Sequence, residues 1–391
     1  MRGNLRYHII FLCVLAAGLF LLSACQKTEQ GNVEGTVSAE GAGAVETDLE
    51  YYYVAESEHG YYRWKEIDID SGFPMLMFTD KESGETVPLC NKPDCTHDSE
   101  ECNACFPVMS AYTNTGMDAH YVQYYNDSLY IIGLGEDDYV TLYRVEADGS
   151  EWEESTRLYR TDYSATGHWR TPEILIADGY VYYIDYKQKS MTLTRMPVGG
   201  TKAEIIYEDD SDAEVQIHRL KCRNGYVYFQ VVTFPEGKYE LHEAALYRYD
   251  TADGQYSLVK AGIYGSYSVW NDLVYYVDEN GLFCYFTQAQ TEKTVVDQPL
   301  DYPTVTLTED YIVLCDFKGD GTLTFYDYEG KEAVTVSHDM ELLALYYGGN
   351  SDMLFSEGVD DGALKMYFLD LKEPLDDIQW EDFSEGLSQA Y

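Results

Sequence analysis

The residues best suited to chemistry lie within one short segment. Four of the nine cysteines fall between Cys90 and Cys105, and His97 lies among them. Three thiolates and one imidazole form a complete tetrahedral Zn²⁺ ligand set with no open position, and zinc would order a loop that has few apolar residues. Four exported cysteines can instead form two disulfides, with three possible pairings. Either interpretation gives the segment a structural role, and the histidine favours zinc.

The spacing of these residues resembles a phrase that recurs in clostridial-type surface lipoproteins, Cys-x4-Cys-x-His-x4-Cys. The matching positions here are Cys90, Cys95, His97 and Cys102. These four side chains are the predicted ligands of one structural zinc ion, with disulfides as the alternative. Cys105 is an addition to the pattern, and its membership of the site stays open.

The first residues of the chain predict export and a lipid anchor. Arg2 and Arg6 precede the apolar run 9–22, which is short for a membrane span. The run leads into Leu22-Ser23-Ala24-Cys25, which resembles the lipobox of bacterial lipoproteins and implies cleavage after Ala24 with a diacylglyceryl group on Cys25. We therefore predict a signal peptide at 1–24 and an extracytoplasmic protein attached to the cell membrane through this lipid. The alternative is a plain signal anchor in which Cys25 has no role.

The composition excludes some partners and favours one fold class. The chain carries 69 acidic and 26 basic residues, a formal charge of −43, so binding to nucleic acid or to anionic lipid through a basic surface is disfavoured. Apolar residues make up 45%, enough for a large core. The 39 tyrosines suit half-buried pleated surfaces, which predicts a mostly β protein. The segment 25–47 has no aromatic residue and predicts a flexible tether.

An internal repeat predicts the architecture. A turn pair followed by alternating apolar and aromatic residues recurs along the chain, and a second strand-like run follows each copy. The register positions are spaced 79, 52, 46, 47, 38 and 42 residues apart and lie at Tyr51, Tyr130, Tyr182, Tyr228, Tyr275, Val313 and Phe355. The last five spacings match propeller blades. We predict an all-β, seven-bladed β-propeller over 48–385, a Cys/His-rich insertion at 88–118 after the first blade, and a tail at 386–391.

The phrase Leu-Tyr-Arg-x-x-x-Asp-Gly, at 142–149 and more loosely at 246–254, resembles bacterial relatives of the low-density-lipoprotein-receptor-type β-propeller. TolB-like propellers are similar at this level. The resemblance covers roughly residues 49–371 and implies the fold. It says little about function, because propellers host binding modules and enzymes alike.

The sequence predicts binding rather than catalysis. It contains no Gly-x-Ser-x-Gly elbow, no phosphate-binding loop and no His-Glu-x-x-His motif. Propeller loops commonly form the ligand surface, and the loop 161–171 offers His168, Trp169 and Arg170 as candidate ligand contacts. We predict a monomeric cell-surface module that binds a glycan, a peptide or an envelope protein. A carbohydrate-active hydrolase or lyase is the alternative.

Two further predictions concern residues outside these motifs. Cys222, Cys284 and Cys315 lie in or beside strand-like runs, so we expect buried thiols that pack as small apolar groups. Helical periodicity is nearly absent from the sequence. The acidic stretch from Glu373 is the one place where we expect a short helix.

Overall fold

The computed structural model describes residues 54–65, 75–99, 101–106, 121–134, 139–160, 173–186, 191–209, 213–235, 242–300, 303–316, 322–337, 341–347, 353–360, 363–375 and 377–383. They belong to one compact unit, residues 42–391. Their regular elements are β-strands, and within these ranges there is no helix of the length and apolarity needed to cross a bilayer. The predicted leader, Cys25 and tether lie outside the described residues.

The strands form seven four-stranded antiparallel sheets, each made of strands consecutive in sequence. The first three blades comprise β1 (Val54–Glu56), β2 (Gly60–Lys65), β3 (Met75–Asp80), β4 (Thr86–Pro88); β5 (Val122–Tyr125), β6 (Ser128–Leu134), β7 (Tyr139–Glu146), β8 (Trp152–Arg160); and β9 (Ile174–Ala177), β10 (Tyr180–Tyr186), β11 (Met191–Pro197), β12 (Glu204–Tyr207).

The remaining four blades follow the same order. They comprise β13 (Glu214–Arg223), β14 (Tyr226–Phe234), β15 (Glu243–Asp250), β16 (Tyr256–Ala261); β17 (Tyr267–Trp270), β18 (Leu273–Asp278), β19 (Gly281–Phe286), β20 (Thr291–Asp297); β21 (Pro303–Leu307), β22 (Ile312–Asp316), β23 (Thr322–Tyr326), β24 (Glu332–Val336); and β25 (Glu341–Tyr347), β26 (Met353–Asp360), β27 (Ala363–Asp370), β28 (Glu381–Asp382).

The seven sheets form a ring, which confirms the predicted seven-bladed β-propeller. The first strands of neighbouring blades contact each other at β1 and β5, β9 and β13, β17 and β21, and β21 and β25. First strands therefore lie inside and fourth strands outside. The faces between blades bury the apolar and aromatic side chains, and this radial stacking leaves only the short outer strand edges uncovered.

The recurring sequence phrase corresponds to the second and third strands of a blade. Tyr130, Tyr182 and Tyr228 are each the third residue of a second strand, and their cross-strand partners are Arg144, Arg195 and Arg248. The register thus pairs the aromatic residue of the first run with the arginine of Leu-Tyr-Arg or its equivalent. Arg195 and Arg248 also lie over the rings of Tyr180 and Tyr226, at 4.6 and 4.5 Å from the centroids.

The predicted register was wrong in the first blade. The third residue of its second strand is Tyr62, whereas Tyr51 lies outside the described residues. The aromatic run 62–64 therefore lies in the second strand of this blade. A second aromatic cluster at 51–53 repeats the same residue types, and residue type alone does not choose between two such runs.

The turn pairs adopt the left-handed backbone that tight hairpins need. The turn between the first and second strands has positive φ at Asp178 and Gly179, and the turn between the third and fourth strands has it at Gly149 or Gly254. Aspartate, asparagine and glycine are the residues that tolerate this conformation at low cost. The prediction of these turns from their residue types is confirmed.

Side chains from both ends of the described chain close the ring. The Tyr61 ring lies 5.3 Å from Phe355 and 6.2 Å from Phe383, in edge-to-face geometry. The Arg63 guanidinium donates a hydrogen bond of 3.0 Å to the Phe383 carbonyl and lies over its ring. The first and seventh blades are thus joined by aromatic packing and one charged hydrogen bond.

The acidic stretch after Glu373 contains no helix in the residues described there, 373–375 and 377–383. It instead supplies β28, the short outer strand of the seventh blade, which pairs with β27. Phe383 follows this strand and is fully buried in the seam. The expected helix is therefore absent from residues 373–375 and 377–383, and the exposed acidic residues gave no sign of this strand pairing.

Candidate metal centre

Four side chains converge where the first blade ends. The Sγ atoms of Cys90, Cys95 and Cys102 and a ring nitrogen of His97 all lie within 4.8 Å of one another. Cys90, Cys95 and Cys102 are free cysteines. These four residues are the group that the spacing predicted, and they could hold a metal ion.

Local turns bring the ligands together. The chain leaves β4 at Pro88, and the N–H of Cys95 donates to the Lys92 carbonyl while the N–H of Cys102 donates to the Ser99 carbonyl. His97 lies between these turns with a φ of 57°. A left-handed backbone is uncommon for residues other than glycine. It accompanies a contact of 3.2 Å between His97 Nδ1 and the Cys102 sulfur.

Backbone donors surround the sulfur atoms. Burial raises the pKa of Cys90, but hydrogen bonds from the backbone of Lys92 and Asn103 and from the side chains of Cys102 and Cys95 together outweigh it and leave the pKa below its usual value. The N–H of Ala104 donates to the Cys102 sulfur at 3.4 Å, yet burial still raises the pKa of Cys102 to about 12. Such outer donors orient thiolate ligands and tune their basicity. Both sulfurs thus already have hydrogen-bond donors suited to a thiolate.

Cys105 lies beside the site but outside the group of four. It forms an isolated antiparallel bridge with Met75, and the neighbouring Ala104 carbonyl accepts a hydrogen bond from the N–H of Leu76. Cys105 is 2% exposed, and burial raises the pKa of its thiol. Its backbone therefore fastens the segment to β3, and its sulfur packs with the small buried cluster around Cys102.

The segment 89–106, here called the Cys/His module, is fastened to two blades. The Asn103 side-chain amide donates to the carbonyls of Gly149 and Ser150, at 2.9 and 2.8 Å, in the turn between β7 and β8. An added Cβ at Gly149 would lie 2.4 Å from the Leu89 carbonyl oxygen. Only glycine permits this close approach between the second blade and the start of the module.

An aromatic anchor completes the attachment. Phe106 is fully buried, and its ring lies 5.6 Å from the rings of both Trp64 and Trp152. Trp64 belongs to the first blade and Trp152 to the second. The module is therefore fixed at its beginning through Leu89, at Asn103, and at its end through Phe106, so its conformation is coupled to the interface between the two blades.

The sequence did not reveal this attachment. Asn103 lies between candidate ligands, and its partners are 46 and 47 residues further along the chain. Gly149 was predicted only as a turn residue. The long first repeat spacing was the one signal that an inserted segment had to be accommodated there.

Other predicted sites have different outcomes. Cys222, Cys284 and Cys315 are buried, as expected, at 7, 4 and 0% exposure. His168, Trp169 and Arg170, and Cys25 with its leader, lie outside the described residues.

One polar cluster, around His218, was not predicted from the sequence. Its Nδ1 lies 3.6 Å from a carboxylate oxygen of Glu173, and its Nε2 lies 3.1 Å from the Gln216 side-chain oxygen. Glu173 immediately precedes β9 and His218 belongs to β13, both first strands near the centre of the ring. Arg219, at a register shift in β13, has a φ of 59°.

Comparison with known proteins supports the fold. No protein-family model matches the sequence, and no curated protein matches it. Solved structures share the architecture: a prolyl endopeptidase matches with a TM-score of 0.59 at 14% identity, over 87% of this chain and 50% of that one. A puromycin-hydrolyzing peptidase of Mycobacterium tuberculosis matches with 0.56 at 11%, over 90% of this chain and 56% of that one. The chain spans about half the length of these structures.

Structures nearer to the predicted resemblances are also among the matches. A nidogen/laminin complex matches with a TM-score of 0.37 and 14% identity, over 68% of this chain and 89% of that one. BamB from Moraxella catarrhalis matches with 0.45 and 12% identity, over 83% and 98%.

Proposed function

We propose that this protein is a lipid-anchored, extracytoplasmic β-propeller that binds a ligand or partner protein at the cell surface, and that its Cys/His module holds one structural zinc ion. The observation that carries the proposal is the convergence of Cys90, Cys95, His97 and Cys102 in a module fastened to two blades. A metal in this position stabilises the scaffold and leaves the loops and outer strands for recognition.

The ligand geometry supports zinc. Tetrahedral zinc with Zn–S bonds of about 2.3 Å places its ligand atoms about 3.8 Å apart. The four ligand atoms lie within 4.8 Å of one another, so a closing movement of about 1 Å brings them to that spacing. Three thiolates and an imidazole fill all four positions, which is typical of structural rather than catalytic zinc.

A matched pair of cysteine variants tests the metal proposal. We expect Cys102→Ser to lose bound zinc and to lower the thermal midpoint, because it removes a buried ligand. Cys105→Ser, three residues away and equally buried, is expected to retain the zinc. Equal metal content in the two variants would contradict the proposed ligand set.

The anchor is tested separately. We expect Cys25→Ala to abolish incorporation of labelled fatty acid and to move the protein from the membrane fraction to the soluble fraction. Unchanged membrane association in Cys25→Ala would contradict the lipid anchor.

Binding at the surface is tested by mild cross-linking of intact cells, with Trp169→Ala expected to weaken capture of the cross-linked partner.

Hydrolysis is the second candidate, and the observation that favours it is the contact between Glu173 and His218. A carboxylate and an imidazole 3.6 Å apart near the centre of the ring form the kind of pair that transfers protons in acid–base catalysis. The test is turnover of cell-wall polysaccharides, the class predicted from sequence, and of peptides. Saturable product formation that His218→Asn abolishes would favour an enzyme over a binding module.

A further inference from the structure

The outer strand of the fourth blade exposes large apolar side chains beside the third blade. Tyr256 and Leu258 on β16 are 48 and 56% exposed. The Tyr256 ring lies 5.2 Å from Tyr207 and 6.2 Å from Tyr247, so the exposed residues continue a buried aromatic floor. Leu258 lies on the same face of β16 as Tyr256. Ile205 on β12 is also exposed, but a register shift places it on the face opposite Tyr207, so it does not join this surface.

The edge of β16 lacks the protection seen on the other long outer strands. β8 carries Glu153, Glu154, Arg157 and Arg160, and β20 carries Glu292, Lys293 and Asp297. Charged residues on an edge strand prevent another strand from pairing with it. β16 has six residues and one charge, Lys260, and no described strand pairs with its outer edge.

Lys260 does not protect this edge, because it turns towards the fifth blade. Its Nζ lies 3.1 Å from a Glu292 carboxylate oxygen and 5.5 and 5.4 Å from the ring centroids of Tyr276 and Tyr285. The face of β16 towards the third blade therefore gains no positive charge from Lys260. The outer backbone edge of β16 and its apolar face with Tyr256 and Leu258 are therefore both exposed.

Acidic side chains lie beside this face of β16. The Glu204 side chain, on β12, is 62% exposed and forms an ion pair of 2.9 Å with Arg195, and Asp209 follows the same strand. Burial first, with the charge of Asp209 as a further cause, raises the pKa of both Tyr207 and Tyr247, which places that carboxylate close to the aromatic floor. The whole chain carries a formal charge of −43. A second copy of so acidic a molecule would be repelled, whereas a cationic segment would be attracted.

We propose that the outer edge of β16 binds an extended cationic peptide by strand addition. The peptide backbone pairs with β16, apolar side chains on one face of the peptide contact Tyr256 and Leu258, and its basic side chains meet the surrounding acidic groups. This mode takes its affinity from main-chain hydrogen bonds and its specificity from alternate side chains. The inference rests on the proposed binding function and specifies its partner.

The test uses the purified full-length protein and a short fluorescent peptide in which lysine alternates with leucine and tyrosine. We expect saturable binding that weakens with added salt. Leu258→Lys should lower the affinity about tenfold or more, because it removes a central apolar contact and adds a charge to the edge. Val87→Lys, which makes the same kind of change at a residue 41% exposed on β4, is the matched control and should bind normally. Unchanged thermal midpoints show that both variants are folded.

A second probe separates strand addition from adsorption by charge. The same peptide with N-methyl groups on alternate residues keeps its charge and side chains but loses the N–H donors that pair with a strand. We expect it not to bind. Equal binding of the methylated peptide, equal loss in Val87→Lys, no saturable binding, or displacement by a neutral oligosaccharide would each overturn the proposal. Because the assay needs no membrane, its outcome is independent of the test of Cys25.

Discussion

At the residue scale, two residues with left-handed backbone conformations shape the Cys/His module and its contact with the second blade. His97 turns its ring towards Cys102 from a left-handed φ of 57°, and Gly149 has a φ of 70° directly against the Leu89 carbonyl. Non-glycine residues in this region cost energy that the surrounding contacts must offset. Here those contacts are the sulfur of Cys102 and the two hydrogen bonds from Asn103.

Substitution of Gly149 by alanine is predicted to destabilise the module. The positive φ alone costs about 1 kcal/mol with a Cβ present. At Gly149 the Cβ would also lie 2.4 Å from the Leu89 carbonyl oxygen. Such a contact would push the Cys/His module away from the second blade. We expect a larger fall in unfolding free energy than the backbone cost alone, together with weaker zinc binding, measured by chemical denaturation and metal competition.

Gly179→Ala is the control for this prediction. Gly179 has a φ of 80° but no atom within 4 Å of an added Cβ, so it isolates the backbone cost. Equal destabilisation by the two substitutions would show that the approach of Gly149 to Leu89 does not hold the module.

At the element scale, the blade is the unit that the sequence makes visible. Residue types alternate along each second strand, and Asp-Gly or Asn-Gly pairs mark the turns, so both signals are local and were predicted correctly. The first blade was misaligned because two aromatic runs compete there, and β28 was missed because a strand of two residues has no periodicity. The contacts that fasten the Cys/His module join residues far apart in the chain, and single-sequence patterns do not report such contacts.

The seam between the first and seventh blades is predicted to depend on Phe383. Its ring is fully buried and lies 5.2 Å from Phe355 and 5.7 Å from Phe368. Truncation of a buried phenylalanine costs about 3–5 kcal/mol. We expect Phe383→Ala to lower the unfolding free energy by that amount and to increase hydrogen exchange in β1 and β28 before other strands.

Tyr264→Ala provides the comparison for the seam, because that ring is 55% exposed and its loss leaves no cavity. A Phe383→Ala protein as stable as Tyr264→Ala would mean that aromatic packing does not close the ring.

At the scale of the whole molecule, tyrosine sets the response to pH. Burial raises the pKa of many phenols between the blades, to about 12 for Tyr183, and raises that of the Cys284 thiol to about 11. In the unfolded chain these groups ionise near their ordinary values, about 10 for tyrosine and 8.5 for cysteine. The folded state therefore favours the neutral forms.

Alkaline conditions are accordingly predicted to unfold the propeller. Groups with a raised pKa stabilise the fold fully below their unfolded pKa, and that contribution is lost as the pH rises through the folded value. We expect the thermal midpoint to fall steeply between about pH 10 and pH 12, with phenolate absorbance appearing together with unfolding. Complete phenol titration near pH 10 without loss of structure would contradict the buried placement of these rings.

The central claim is that the Cys/His module is a zinc site that fastens the first two blades, and the most direct measurement is paired. Metal content is determined by mass spectrometry on protein purified without chelator, and thiols are titrated after denaturation with chelator. We expect about one zinc ion per chain and reactive thiols at all seven cysteines of the described chain. Absence of metal with only about three reactive thiols would instead identify two disulfides and contradict the account.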